Sequence, residues 1–170
     1  ENKMFTHRPD LFGLLGVGRE LAGIQGKGFS SPDWYRSDKQ IESTSDQLKL
    51  NFINELTDLV PRFVAVPMSD VKVAKSPVWL QSFLTRHGLR PINNIVDLTN
   101  YFMILTGQPL HAYDYDKLKK LSGGEATIVV RNPKPGEKLK LLNGKEITPG
   151  PESIMIATDK QLIGACGVMG

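Results

Sequence analysis

Few side chains in this sequence have chemistry to offer. There are three histidines, His7, His87 and His111, and one cysteine, Cys166. No histidine stands at metal-ligand spacing from another His or from the Cys, which argues against a His/Cys metal cage. Gly13, Gly16 and Gly18 fall in a helical pattern with no following Lys, so they do not make a phosphate-binding loop. A Gly-x-Ser-x-Gly nucleophile elbow is missing. His87 precedes Gly88 and reads as a cation at a helix C-terminus. His111 is different. It follows Gly107-Gln108-Pro109-Leu110, shortly after an apolar stretch that carries Thr99 and Asn100. A hydroxyl, a carboxamide and an imidazole in apolar surroundings suit a small binding pocket. The plainer alternative is a hydrogen-bonded core histidine.

The elements that must hold these groups follow from periodicity. Leu11, Leu14, Leu15, Gly18, Leu21 and Ala22 predict a helix over 9–24, ended by Gly23 and Gly26. Residues 25–46 are rich in Gly, Ser, Asp and Pro and read as a linker. Alternation over 47–74 suggests strands, best at 63–66 and 71–73. Ser76 as N-cap, Pro77 at the first turn and the stripe Trp79, Leu80, Phe83, Leu84 predict a helix ended by Gly88. Arg90-Pro91 forces an extended segment. A second helix is expected over 95–106, capped by Asn94 and closed by Gly107. Apolar residues cover nearly its whole circumference, which predicts burial. From 126 onward the pattern is strand and turn. It gives a strand at 128–130, a turn at 133–136, a hairpin over 139–148 with the two-residue turn Asn143-Gly144, and strands at 153–157 and 162–167. The sum is an α+β fold.

Composition narrows the class. The chain has 170 residues, 40% of them hydrophobic, enough to bury a core. No apolar run is long enough to span a bilayer, and no leader peptide opens the chain, so a membrane partner is not expected. With a single cysteine, a reducing cytoplasm is the expected compartment. The start at Glu1 and the end just after an apolar run suggest a piece of a longer polypeptide. Net charge is +3, but it is unevenly laid out. Lys117, Lys119, Lys120, Arg131, Lys134, Lys138, Lys140 and Lys145 face only Glu125 and Glu137 over 117–145. A local basic surface suits RNA, though an ordinary solvated face is the commoner meaning, and no stacking aromatics are interleaved.

Several motifs then agree on one family. Leu89-Arg90-Pro91-Ile92-Asn93-Asn94-Ile95-Val96-Asp97-Leu98-Thr99-Asn100-Tyr101 and Gly107-Gln108-Pro109-Leu110-His111-Ala112-Tyr113-Asp114 resemble the bacterial-type phenylalanyl-tRNA synthetase β subunit. So do Ser76-Pro77-Val78-Trp79-Leu80-Gln81, Gly136-Glu137-Lys138-Leu139, Leu141-Leu142-Asn143-Gly144 and Gly167-Val168-Met169-Gly170. The leading Thr6-His7-Arg8-Pro9-Asp10, with Gly16 and Arg19-Glu20, is similar to the segment that enters this region in the family.

The resemblance implies a layered β-sandwich-like B3/B4 domain with flanking helices at 41–170. Ahead of it, at 1–40, would come the end of the helical B1 domain and a linker. It implies an editing site that hydrolyses tyrosyl-tRNA made by mistake. Carried over residue by residue, that pocket falls on Arg90, Thr99, Asn100, His111, Cys166 and Gly167. Arg90 would offer a cation to the tRNA end, Thr99 and Asn100 would hold a water or the amino group, and His111 would orient the water or the ester. Gly167 would let substrate approach the backbone, and Cys166 stands where the family usually has Ala or Gly. The family's hydroxyl-reading Glu lies downstream of Gly167-Val168-Met169-Gly170. The implied partners are the α subunit, in an assembly of two α and two β chains, and tRNA(Phe). ATP and magnesium belong to the α subunit, so no cofactor is expected on these residues. Two alternatives stand beside this expectation: a non-catalytic tRNA-binding and subunit-docking module, and a free-standing deacylase acting in trans.

Overall fold

The computed structural model describes residues 7–36 and 48–167. Residues 37–46 of the predicted 25–46 linker, Thr6 of the leading motif and the Val168-Met169-Gly170 part of the last motif lie outside them. The protein is α+β and divides into two compact units. One comprises Glu1–Glu42 and Lys72–Ala112, the other Ser43–Val71 and Tyr113–Gly170.

The first unit is helical. A 3-10 turn at Pro9–Phe12 leads into α1, Leu14–Ile24, and a short α2 covers Asp33–Arg36. Further on come α3, Val78–Arg86, and α4, Asn94–Thr106. The glycines near α1 are packing devices. A Cβ on Gly13 would overlap the backbone of Thr106 and Gly107, and one on Gly16 would overlap the Asp10 carbonyl. The chain can therefore press closely against the end of α4. Arg8 fastens the entry: Nε and Nη2 donate to Asp10 at 2.9 and 2.8 Å, and Nη2 also donates to Glu20 at 3.0 Å. On α3, Leu80 and Leu84 are fully buried. Tyr101 of α4 meets the edges of Trp79 and Phe83 at ring-centroid distances of 5.4 and 4.9 Å, a favourable aromatic geometry.

The second unit holds the sheet. Strands β1 (Asn51–Asn54), β2 (Thr127–Arg131), β5 (Met155–Ala157) and β6 (Leu162–Ala165) lie in the order β1-β2-β5-β6. β1 runs parallel to β2, and the other neighbours are antiparallel. β3 (Leu139–Lys140) and β4 (Glu146–Ile147) form a separate antiparallel pair. Helix α5, Tyr115–Ser122, completes the unit. The period of two along each strand sorts side chains into two cores. Val129, Met155, Ala157 and Leu162 bury with Leu139 of β3. Ile128 buries with Leu118 of α5 and Ala126, packed against Ile156 and Ile163. Strand β2 is buried along its whole length, as a strand covered on both faces must be.

Some expectations change. Residues 63–66 and 71–73 form no strand. The alternation at 63–66 is real: Phe63 and Ala65 pack on the second core, while Val64 and Val66 face out. The segment is one-sided in burial without joining a ladder. Around 72–74 the backbone is satisfied by one side chain. Asn94 Nδ2 donates to Lys72 O at 2.9 Å, and Asn94 Oδ1 accepts from Ala74 N at 2.9 Å. The strand that does form, β1, carries weaker apolar alternation and is held by register with β2. The hairpin turn contains three residues, not two. Gly144 N donates to Leu141 O and Leu141 N to Lys145 O, each at 2.8 Å, with Gly144 at φ +83°. That is a tight turn followed by a left-handed glycine. Helix α5 was not expected at all.

Candidate functional site

Helix α4 carries Thr99 and Asn100, and its start is built by asparagines and an aspartate. The cap is Asn93, not Asn94: its side-chain oxygen accepts from Ile95 N at 3.1 Å and Val96 N at 3.0 Å. Asp97 lies in the first turn of α4, where an acid is ordinarily solvated and favours the helix dipole. It is instead completely buried, accepting from the Ser76 hydroxyl and from Ile92 N at 2.8 Å. Ser76 thus serves Asp97 rather than capping α3, whose N-cap is Pro77. The consequence for the site is positional. One carboxylate fixes the start of α3, the backbone two residues after Arg90, and the first turn of α4. Burial of α4 is only partial: Asp97 is its one buried residue, and Leu98 is 50% exposed.

Thr99 is half-buried, and its hydroxyl donates to Val96 O at 2.7 Å. Asn100 beside it is also half-buried. Arg90 is exposed and lines an open depression with Val78, Gln81, Ser82, Thr85, Arg86 and Pro91. Thr99, Asn100 and His111 do not line that depression. His111 follows α4 at the surface, and partial desolvation lowers its imidazole pKa, which leaves it neutral at pH 7. All four residues belong to the first unit. His87 takes the C-cap position of α3, where Nδ1 donates to Phe83 O at 2.8 Å.

Cys166 and Gly167 belong to the second unit, just past β6. Cys166 is half-buried, and its N–H donates to Ile154 O at 3.0 Å. Gly167 adopts φ +70°, and a Cβ there would meet open space. The left-handed backbone, more than crowding, explains a glycine at this point. Tyr113 opens the second unit. Burial, with a contribution from Cys166, raises its phenol to about 12, so it is a neutral group at any physiological pH.

The expected basic surface is thinner than its sequence suggests. Arg131 is 5% exposed and forms a two-pronged ion pair with Glu137 at 2.7 and 2.8 Å. Lys138 pairs with Glu146 at 2.8 Å. Among the described residues no cluster of three or more His, Cys, Asp or Glu could hold a metal ion. Nor is any described helix long and apolar enough to cross a membrane.

Sequence reasoning missed Arg86 as a companion of Arg90, although a signal was present. From 71 to 96 the chain has Lys72, Lys75, Arg86 and Arg90 and no Asp or Glu.

An α+β protein with a buried-aspartate brace under an Arg-Pro segment and a half-polar helix after it now has a family. Residues 59–170 match the model of the B3/4 domain, and the chain belongs to that family. It is similar over nearly its whole length to proteins named phenylalanine–tRNA ligase beta subunit. That of Moorella thermoacetica is 41% identical over 170 residues, which is 99% of this chain and 20% of that protein. That of Solibacter usitatus is 40% identical over 180 residues, all of this chain and 21% of that protein. That of Bacillus cereus is 38% identical over 164 residues, or 96% and 19%. The chain spans about a fifth of the length of these relatives.

Proposed function

We propose that this chain is part of the β subunit of a phenylalanine–tRNA ligase and carries most of a site that hydrolyses mischarged tyrosyl-tRNA(Phe). The observation that carries the reading is identity near 40% across the whole chain to proteins of that name. All six expected pocket residues, from Arg90 to Gly167, also lie inside the B3/4 match. On this reading 41–170 belongs to a layered, sandwich-like domain, and 1–40 is the end of a preceding helical one. The α subunit is the partner in an assembly of two α and two β chains in the cytoplasm, and it supplies the ATP- and magnesium-dependent charging step.

The physical need for such a site is specific. A pocket shaped for phenylalanine rejects an analogue that merely adds a hydroxyl by only about 100-fold. A second site must remove the errors. Hydrolysis requires a water oxygen to attack the ester carbonyl carbon while the ribose oxygen leaves and takes up a proton. The neutral imidazole of His111 can accept a hydrogen bond from that water, which an imidazolium could not. Thr99 and Asn100 supply donors and acceptors for the water or the amino group. Arg90 offers its guanidinium to the RNA end, and Gly167 gives an open backbone approach beside the small Cys166.

A non-catalytic docking module is the competing reading. It is favoured by the placement of Arg90 in an open depression that none of Thr99, Asn100 and His111 lines. The two separate by one experiment. In the full-length parent enzyme, His111→Ala should slow tyrosyl-tRNA(Phe) deacylation about 10- to 100-fold and let mischarged tRNA accumulate, with phenylalanine charging intact. Deacylation that continues at the parental rate would favour the docking module.

A further inference from the structure

We propose that Arg86 and Arg90, with the hydroxyl of Ser82, form a subsite for a backbone phosphate of single-stranded RNA. The proposal rests on the tRNA reading above; it shares Arg90 with the editing pocket and adds Arg86 and Ser82, which that pocket does not include. Both arginines are exposed and line one depression on the outer side of α3. Neither enters an ion pair with any described residue. The contrast is with Arg8 and Arg131, whose forks are filled by carboxylates at 2.7–3.0 Å. A guanidinium left open presents parallel N–H donors that match two phosphate oxygens.

The surroundings reinforce the charge. Residues 71–96 contain no carboxylate, and the first acid after them, Asp97, is fully buried and already bonded to Ser76 and Ile92. Nothing on this stretch therefore neutralises Arg86 or Arg90. The other polar groups in the depression are partly spoken for. Thr85 Oγ1 donates to Gln81 O at 2.8 Å, and the Gln81 amide donates to Ser76 O. That leaves the Ser82 hydroxyl as the further donor. Val78, 81% exposed, and Pro91 give the depression apolar margins against which a ribose or base could lie. The opening is wide, which suits a strand passing across it better than an enclosed small molecule. Asp97, through Ile92 N, holds the backbone of Arg90 in register with α3 before any ligand arrives. Arg90 is thereby a shared residue, and Arg86 is the one that tells the two sites apart.

The test uses the 170-residue chain and a fluorescein-labelled RNA 12-mer ending in CCA, with affinity measured by anisotropy from 50 to 300 mM salt. Arg86→Gln and Arg90→Gln should each weaken binding roughly 3- to 10-fold. Each should also make the slope of log K against log salt shallower by about 0.7, the value for one lost phosphate contact on a single strand. Arg86→Lys should keep the slope but bind more weakly, since it keeps the charge and loses the fork. Thermal melts of the variants should match the parent, because both side chains are exposed. The subsite is overturned if the chain does not bind the RNA, or if Arg86→Gln leaves affinity and slope unchanged. It is equally overturned if polyglutamate displaces the probe and unlabelled RNA does not. Failure of the editing proposal looks different: RNA binding through Arg86 persists while the full-length parent leaves tyrosyl-tRNA(Phe) intact. Conversely, a parent that deacylates with KM unaffected by Arg86→Gln sinks the subsite alone.

Discussion

Two carboxylates show how residue type in a motif can mislead about role. Glu137 sits in Gly136-Glu137-Lys138-Leu139, where it looked like one acid diluted among lysines. It is the hub of a turn: Arg131 reaches it through both Nη atoms, and Lys134 N donates to it at 2.6 Å. Those donors hold its pKa down at about 2 against an ordinary 4.5, the Arg131 bonds contributing most. The linkage sign is therefore that of a depressed carboxylate. The pair's stabilisation is complete above about pH 4.5 and is lost as pH falls through the window toward 2. Urea midpoints of the wild-type chain should drop across that window. Glu137→Gln should flatten the drop and lower stability at pH 7 by about 3 kcal/mol, since the buried Arg131 would lose the carboxylate that it hydrogen-bonds. A Glu137→Gln chain with an unchanged pH profile would show that the pair contributes nothing. Asp97 teaches the same lesson. Its place in the first helical turn announces nothing of its partners: three-dimensional neighbours claim both oxygens, and no one-dimensional pattern points to a partner 21 residues away.

At the scale of elements, legibility followed the strength of the local signal. Helices α3 and α4 were readable because apolar spacing and terminal glycines agree. Helix α5 had signals too: Asp114 caps it by accepting from Lys117 N, and Gly123 ends it in a left-handed turn. Its lysines masked them, because only one stripe, centred on Leu118, touches the core. The 63–66 segment failed in the opposite sense. Period two reports one-sided burial, and it does not report whether a neighbour's backbone is within hydrogen-bonding reach. The glycines near α1 carry no motif signal for what they do, and their use was invisible until the backbone of α4 and of the 9–12 turn was placed beside them. Gly16→Ala tests that use. Its methyl would meet the Asp10 carbonyl, which is backbone and cannot swing aside, so the cost should be about 1–3 kcal/mol despite the better helix propensity of alanine. Thermal melts should show the loss, and hydrogen exchange should localise it to α1 and the 9–12 turn. A stabilised Gly16→Ala chain would mean that propensity, not the close approach, governs this position.

For the whole molecule, the expected pocket residues are distributed over two units that interleave along the chain. The first unit holds Arg90, Thr99, Asn100 and His111, and the second holds Cys166 and Gly167. Adjacency in a motif carries no information about such a division, so the sequence named the residues without revealing it. Charge behaves similarly. The lysine-rich 117–145 stretch was open to a polyanion surface or an ordinary solvated face, and Arg131 is consumed internally while Lys138 is paired with Glu146. The 71–96 stretch has fewer cations and no acid to oppose them. Affinity for RNA should therefore be modest and should come from few contacts. Two to four phosphates neutralised on a single strand predict a slope of log K against log salt between about −1.4 and −2.8, and dissociation constants near 10⁻⁴–10⁻⁶ M at 0.15 M salt. Filter binding or anisotropy over a salt series measures both. A tight complex indifferent to salt would require an apolar or stacking interface that neither the lysine stretch nor the arginine depression supplies.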